Sequence, residues 1–443
     1  MRCREIRNRS LATHMHATPP NSSSRAPLAS SNMRWTLLLL LLPPADTRRL
    51  PPLGFIGPFG PRSRVQASAS SEPQPAGRGL DEQEVRTLLK GRTAIVVAAD
   101  TLDIGLGVAE GLAELGANVV FASRQPKRAA RRCGRITAAC RRKKGDGACE
   151  AAQLDLADAA SVWEFAEGVV ERDQPLHILV NCADEVLPSF RTGPGGWEQT
   201  AGTNHLGPFL LSELLLDQMV GTMRRDEAKS TQLAAEARRQ AGRRKRGEAA
   251  SPTPLLRPVE LRPSPAPLAR VVTLGQRAHP TLKRPSPVPG LSLARRNFSS
   301  WRAYGDARQA NLASNLRLSE LMLCLPTEQG DVVQVNVVDP GGKRWLPPAA
   351  RRLLGLHKGP ALQCCFLASS PERGINGLFF QDFGSEPAWM QTSLPYDEGA
   401  LAEDVYDASR ALTGSPISEW AQDIGAAMRA RQSVSQRRTA AIR

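Results

Sequence analysis

The sequence predicts an α/β fold with a doubly wound parallel sheet, in which helices cover both faces. Short apolar runs alternate with amphipathic segments between residues 93 and 338. The runs are rich in Val, Leu and Ile, as expected for parallel strands that are buried on both faces. A strand that alternates regularly with a helix is typical of a parallel sheet with right-handed crossovers.

The elements follow one another in a regular order. The predicted strands are 93–98, 117–123, 151–156, 176–181, 269–274 and 331–338. The predicted helices are 104–116, 126–144, 161–173, 205–219 and 304–323. In such a Rossmann-like sheet the strand carboxyl ends meet at one edge, and a ligand is expected there.

One domain accounts for most of the chain, which has 443 residues. We assign it to residues 89–425, followed by a basic tail at 426–443. Residues 224–268 are rich in Arg, Ala and Pro and separate a predicted helix from the next strand. We expect a disordered insertion there. A helix-to-strand connection lies at the amino edge of the sheet, so this insertion would lie away from the ligand.

Residues 1–88 have the composition of a targeting leader. The apolar run RWTLLLLLLPP at 34–44 is too short to span a bilayer and fits a signal h-region. A basic segment rich in Ser and Pro follows it, like a transit peptide. This order resembles the bipartite leaders of complex plastids, and an organellar, plastid location is expected. An endoplasmic-reticulum signal or signal-anchor is the alternative.

The charge of +15 suggests nucleic-acid binding at first sight. The basic excess is concentrated in residues 1–80 and 224–262, which contain few aromatic residues. This composition favours disorder over a binding surface, and no nucleic-acid partner is expected. The 8 cysteines form no CxxC pair, so neither a metal site nor a disulfide framework is predicted.

Tyr304 and Arg308 are the first candidate site residues, in the sequence AYGDARQAN at 303–311. Four residues apart on a helix, they share one face. Five stretches of the chain together resemble the short-chain dehydrogenase/reductase superfamily, in the branch of retinol dehydrogenases and light-dependent protochlorophyllide oxidoreductases. They are the βαβ start, LDLAD at 154–158, LVNCAD at 179–184, GTNHLGPFLLSELLLDQM at 202–219 and AYGDARQAN.

The resemblance implies four catalytic positions, two of them altered. Tyr304 matches the proton-transferring tyrosine, and Asn204 matches the asparagine of the kinked helix, which Pro208 would bend further. Arg308 stands where the family has lysine, and Gln276 stands where it has serine. A guanidinium keeps the positive charge but cannot release a proton, so a lysine-based relay would be broken.

The resemblance also implies NADP(H) as cofactor, because the second strand ends in Ser123-Arg124 instead of an acid. The implied cofactor-binding residues are Gly105, Ile104, Arg124, Asp155, Asn181, Ala183, Pro340 and Gly341. The turn after the first strand should carry the family's glycine motif TGxxxGxG, but only its last glycine, Gly105, is present. It carries Asp103, whose charge would cost cofactor binding on the order of 1–3 kcal/mol.

Two functions remain open on the sequence. The first is NADP(H)-dependent oxidation or reduction of an alcohol, a carbonyl or a conjugated double bond on a lipophilic small molecule. The apolar segment KRWLPPAARRLLGLHKG at 343–359 would form its substrate lid. The second is an inactive member of the family that acts as a binding or scaffold module. Association with a membrane surface and homo-oligomerisation are further hypotheses.

Overall fold

The computed structural model describes residues 89–98, 103–245, 269–276, 298–323, 333–339, 358–369, 376–381, 388–389 and 398–415. The strands are β1 (Thr93–Ala98), β2 (Asn118–Ser123), β3 (Ala148–Gln153), β4 (Ile178–Cys182), β5 (Ala269–Leu274), β6 (Val333–Val338), β7 (Leu378–Phe380) and β8 (Ala388–Trp389). The helices are α1 (Asp103–Glu114), α2 (Pro126–Arg142), α3 (Ala159–Glu171), the short α4 (Gln199–Ala201), α5 (Gly207–Lys245), α6 (Ser300–Leu323), α7 (Lys358–Ser369) and α8 (Glu398–Thr413). A π-helical turn, Gly202–Leu206, separates α4 from α5.

The strands form one sheet in the order β3-β2-β1-β4-β5-β6-β7-β8. All neighbouring pairs are parallel except β7 and β8, which are antiparallel at the edge. The chain winds outward from β1 in one direction to β3 and then returns to place β4 on the other side of β1. This doubly wound parallel sheet confirms the predicted fold class.

The central strands are apolar on both sides because helices cover both faces of the sheet. Ile95 and Val97 point into one apolar cluster with α3 and α5, while Ala94 and Val96 point into another with α1 and α7. Each of these four side chains is at most 1% exposed. Burial on both faces explains why β1 is a continuous apolar run instead of an alternating one.

The boundary of β3 differs from the predicted one. We expected a strand at 151–156, whereas β3 ends at Gln153. It lies at the end of the sheet and only Cys149 within it is buried, so its composition carries little strand signal. Asp155 consequently lies in a turn, where its Oδ1 accepts a hydrogen bond of 2.9 Å from the Ala157 N–H.

The expectation that 224–268 is disordered is wrong for residues 224–245, because α5 continues without interruption to Lys245. Asp226 anchors the extension: its carboxylate lies 2.7 Å from Arg92 and 3.2 Å from His177 at the amino edge of the sheet. The composition, rich in Ala, Arg, Lys and Glu, also favours a helix. Residues 246–268 lie outside the described part of the chain.

The leader at 1–88 and the basic tail at 426–443 also lie outside the described residues. Between them, α8 packs against α6 and was not predicted. Its Val405 and Ala402 are buried in a third apolar cluster with α6 and Val337 of β6. Helix α8 thus covers the part of α6 that follows Arg308 in the chain.

Candidate active site

The candidate site lies where the order of the strands reverses, at the carboxyl ends of β1, β4 and β5. β1 stands between β2 and β4, so the crossovers on its two sides leave in opposite directions and open a crevice. Ligands of open α/β sheets bind in such a crevice. Segments after β4 and β5 and the beginning of α6 converge on the same edge.

Tyr304 and Arg308 lie one turn apart on α6, as predicted, and both are buried at 2% and 1% exposure. The guanidinium carbon of Arg308 is 5.1 Å from the centre of the Tyr304 ring. The helix can approach β5 closely because Gly275 follows the strand. A Cβ at Gly275 would lie 3.3 Å from the Arg308 carbonyl oxygen and 2.5 Å from Val337.

Arg308 joins the ends of two strands. Its Nη1 donates to the Leu274 carbonyl of β5 at 3.0 Å, and its Nη2 donates to the Ala183 carbonyl after β4. The same Nη2 lies 2.9 Å from Asp184 Oδ1 and 3.2 Å from Asn204 Oδ1. With these acceptors around it, the guanidinium is a fixed interior cation, unlike a lysine ammonium on a flexible stem.

Asp184 is the counter-ion of Arg308 and also the partner of Tyr304. The Tyr304 hydroxyl donates to Asp184 Oδ1 at 3.1 Å. One carboxylate oxygen therefore receives both the phenol and the guanidinium. Asp184 stands in the stretch LVNCAD, where the family signature has a different residue, just as Arg308 stands where the family has lysine. Only the structure shows that the two departures form an ion pair.

Asn204 lies in the π turn and holds the backbone of Glu185. Its Oδ1 accepts from the Glu185 N–H at 2.9 Å, and its Nδ2 donates to the Glu185 carbonyl at 2.6 Å. Pro208 has no N–H to donate to the Asn204 carbonyl four residues earlier. Asn311 of α6 donates to that carbonyl instead, at 2.8 Å. This replacement explains how the irregular helix start is tolerated in the interior.

Asn311 and His205, which were not predicted, connect the π turn to β5 and α8. Asn311 Nδ2 also donates to the Leu274 carbonyl at 2.8 Å, and its Oδ1 lies 2.8 Å from His205 Nδ1. His205 Nε2 lies 2.8 Å from the Ser409 hydroxyl. Complete burial lowers the pKa of His205 to about 4. The imidazole is therefore neutral at pH 7, with Nδ1 donating to Asn311.

Gln276 was predicted to polarise the substrate. It follows β5 and is half-buried, and its backbone N–H donates to the Arg308 carbonyl at 3.3 Å. Its backbone is thus fixed beside the Tyr304–Arg308 turn of α6. The role of its side chain stays a prediction, and residues 277–297, which follow it, lie outside the described part.

The predicted cofactor residues fall into two groups. Ile104 and Gly105 begin α1 behind β1, and a Cβ at Gly105 would lie 2.6 Å from Ala98 Cβ. The close helix–strand contact that a dinucleotide site needs is therefore present. Pro340 and Gly341, residues 99–102 of the opening turn and the Asp103 side chain lie outside the described structure.

Arg124 lies directly after β2, but its guanidinium faces an internal partner. Its Nη2 is 2.6 Å from Glu185 Oε1, and the Thr203 hydroxyl donates to Glu185 Oε2 at 3.0 Å. Asn181 donates to the Ser212 hydroxyl at 3.0 Å and so connects β4 to α5. Its Oδ1 is buried and has no hydrogen-bond partner among the described residues. Glu185 was not predicted.

The structure thus joins Tyr304, Arg308, Asn204 and Arg124 in one network through the acidic pair Asp184 and Glu185. A buried tyrosine and a fixed cation lie at the switch point of a doubly wound α/β sheet, the place where such folds bind ligands. Comparison with known proteins shows which family the chain resembles. The family model of short chain dehydrogenases matches residues 92–230.

Two curated relatives and one solved structure are similar to the chain. Mouse polyprenol dehydrogenase is 29% identical over 310 residues, which is 66% of this chain and 76% of the relative. Mouse retinol dehydrogenase 11 is 36% identical over 134 residues, 30% of this chain and 40% of the relative. A protein from Mycobacterium paratuberculosis shares the fold, with 22% identity, a TM-score of 0.50, and coverage of 74% of this chain and 96% of its own.

The chain is similar to the short-chain dehydrogenase/reductase superfamily, in its retinol dehydrogenase-like branch, and the family model covers residues 92–230. The matched part of the retinol dehydrogenase is less than half of that protein's length. Among the described residues, no helix is long and apolar enough to cross a membrane. The same residues contain no cluster of His, Cys, Asp and Glu that could hold a metal.

Proposed function

We propose that the chain is an NADP(H)-dependent oxidoreductase that converts an alcohol, a carbonyl or a conjugated double bond of a lipophilic substrate. The observation that carries the proposal is the Tyr304 hydroxyl in the cleft, one helical turn from the fixed guanidinium of Arg308. A phenol beside a cation can give a proton to a substrate oxygen and hold the resulting negative charge.

Each residue of the site has its own role in the proposed reaction. Tyr304 gives the proton to the substrate oxygen or takes it from there. Arg308 provides positive charge beside the tyrosine ring, and Asp184 orients both groups. Asn204 fixes the loop that carries Asp184, and Gln276 donates a hydrogen bond to the substrate oxygen. A bound nicotinamide would supply or accept the hydride at this cleft.

The chain's residues fit a dinucleotide at two points. Gly105 allows α1 to begin close against β1, and the amino end of that helix favours a pyrophosphate. Arg124, directly after β2, has the charge that a 2′-phosphate requires. Lys is absent at position 308 and the Arg308 guanidinium is bonded to internal acceptors, so the ribose would rely on neighbouring backbone groups.

A lipophilic substrate is supported by two observations. The relatives are named for polyprenol and retinol. Aromatic side chains also lie in the segments that follow β4 and β5: the rings of Phe190 and Phe298 meet edge to face with centres 5.8 Å apart. Trp301, at the beginning of α6, is 55% exposed. Trp301 lies three residues before Tyr304 on the same helix and offers an exposed apolar surface there.

The experiment that tests the proposal combines binding with turnover. We expect NADPH to bind weakly by isothermal titration, and a panel of retinoid and polyprenoid alcohols and aldehydes to include a substrate. Tyr304→Phe should abolish turnover and leave NADPH affinity within about twofold, because the ring remains and only the transferable proton is lost. Absence of NADPH binding at millimolar concentration would contradict the proposal.

A second candidate function is an inactive scaffold built on the same fold. It is favoured by the bonds among the predicted site residues. Asp184 binds Tyr304 and Arg308, and Glu185 binds Arg124, where an enzyme would bind substrate or cofactor. Binding distinguishes the two functions. A scaffold would bind neither NADPH nor NADH, and Tyr304→Phe would change no measurable property of the cleft.

An organellar location is part of the proposal, in a plastid or at the endoplasmic reticulum. Residues 1–88, fused to a fluorescent reporter, should direct the reporter to that organelle. A reporter that stays in the cytosol would contradict it. Association with a membrane surface and homo-oligomerisation remain proposals that vesicle sedimentation and light scattering of the purified protein would test.

A further inference from the structure

We infer that Glu185 is a built-in competitor for the cofactor's 2′-phosphate and thereby determines which nicotinamide cofactor the protein accepts. The inference rests on the proposed function, because it concerns the same cleft. It assigns a specificity role to a residue that is neither in the predicted site nor at the reacting atoms.

The first argument is position. Arg124 directly follows β2, and Glu185 follows β4, while β1 lies between these two strands in the sheet. The ion pair of 2.6 Å therefore crosses over the carboxyl end of β1. A dinucleotide that lies along this edge of a doubly wound sheet must pass the same point. The carboxylate and an incoming phosphate would then compete for one guanidinium.

The second argument is that the backbone of Glu185 is held in place independently of its carboxylate. Asn204 binds both the N–H and the carbonyl of Glu185, at 2.9 and 2.6 Å. Thr203 donates to the second carboxylate oxygen at 3.0 Å. The backbone contacts do not depend on the side-chain rotamer. The side chain can therefore turn away from Arg124 while the loop keeps its position.

The third argument is the energy needed to replace the Glu185 carboxylate by a 2′-phosphate as the partner of Arg124. The Arg124 and Glu185 side chains are 17% and 15% exposed, so their attraction is only partly screened by water. A cofactor with a 2′-phosphate must break this pair or accept the repulsion of Glu185. A cofactor with a 2′-hydroxyl carries no charge at that place and faces a much smaller cost. Glu185 thus lowers the preference for NADP(H) that Arg124 alone would create.

The test measures binding, with NADPH, NADH and adenosine 2′,5′-bisphosphate as probes in calorimetric titrations of the full chain. Glu185→Gln should tighten NADPH and the bisphosphate by about tenfold, and NADH by less than about twofold. Thr203→Val removes only one hydrogen bond to the carboxylate. It should also raise the affinity for NADPH relative to NADH, by a smaller factor. When Arg124→Gln is combined with Glu185→Gln, the tighter binding of NADPH and of the bisphosphate should disappear.

Glu114→Gln is the matched control. Glu114 lies 2.8 Å from Lys143 in a similarly part-buried pair at the end of α1, far from the cleft, and the substitution should alter no affinity. If both cofactors bind and Glu185→Gln leaves their affinity ratio unchanged, the inference is wrong while the proposed function stands. If neither the wild type nor any variant binds any of the three probes, both are wrong.

Discussion

The hydroxyl of Tyr304 donates a hydrogen bond to Asp184 at 3.1 Å, and the same carboxylate oxygen lies 2.9 Å from the guanidinium of Arg308. The proton-bearing group of the cleft is therefore coupled to an interior ion pair. Changes at Asp184 should affect both the stability of the domain and the chemistry of the tyrosine. Four predictions follow from this network and its surroundings.

Asp184→Asn should destabilise the protein by about 3 kcal/mol, because the Arg308 guanidinium would stay buried without a counter-ion. The measurement is urea unfolding followed by circular dichroism. Asp173→Asn, in an exposed ion pair of 2.7 Å with Arg225, is the control and should leave the unfolding midpoint unchanged. Equal effects of the two substitutions would show that the Asp184 pair contributes no more than a surface contact.

Arg308→Lys, combined with Gln276→Ser, should raise turnover and lower stability. The ammonium and the hydroxyl restore the donors that the family uses for catalysis. However, a lysine cannot serve the Leu274, Ala183 and Asp184 acceptors together, so about 1–2 kcal/mol of unfolding free energy should be lost. Steady-state assays in both directions, with NADPH and with NADP+, measure the first effect. No measurable turnover in either the wild type or this variant would instead favour the scaffold function.

Asn311→Ala should cost about 2–4 kcal/mol of stability, since the Asn204 carbonyl and His205 would lose their buried partners. Thermal unfolding gives the change. Ser314→Ala lies one turn further on α6, where the hydroxyl makes only a contact of 3.4 Å, and should cost less than about 1 kcal/mol. A larger effect at Ser314 than at Asn311 would refute this account of the π turn.

Glu213→Gln should make the protein more stable than the wild type at alkaline pH but not at pH 4. Burial raises the pKa of Glu213 to about 7, while the Tyr406 hydroxyl donates to it at 3.0 Å. Between pH 4.5 and 7 the unfolded chain releases this proton before the folded one does. The wild type therefore loses stability as the pH rises through this window, up to about 3 kcal/mol.

The difference between the Glu213→Gln variant and the wild type is the quantity to measure, by urea unfolding from pH 4 to 9. His205 has a pKa lowered to about 4, so its own contribution is lost as the pH falls from 6.5 towards 4. That contribution is common to both proteins and cancels. A difference that is constant across the pH range would contradict the burial of an ionisable carboxyl at position 213.

The sequence predicts best those strands that are buried on both faces of the sheet. β1 and β5 occupy the predicted residues 93–98 and 269–274, because burial on both faces demands an unbroken apolar run. The extension of α5 past residue 224 was missed. Its anchor, Asp226 on Arg92 and His177, joins residues far apart in the chain. Local composition favoured a helix there, but only this contact shows where it packs.

In the candidate site, too, some residues could be predicted from local sequence and others could not. Tyr304, Arg308 and Asn204 could be found from their spacing and from the family motifs, and the structure brings them together. Asp184 could be seen only as a departure from a signature, and Glu185 was not predicted. Their partners, Arg308 and Arg124, lie 124 and 61 positions away. No periodicity or local motif carries information about pairing across such distances.

The amino-acid sequence by itself determined the doubly wound sheet, the order of its elements and the edge at which the site residues gather. These depend on local apolar patterns and on the handedness of crossovers, which short segments specify. The tertiary structure alone decided which charges meet in the cleft. Ion pairs and buried hydrogen bonds depend on distances of a few ångströms between side chains from separate strands, and folding sets those distances only when the whole sheet is assembled.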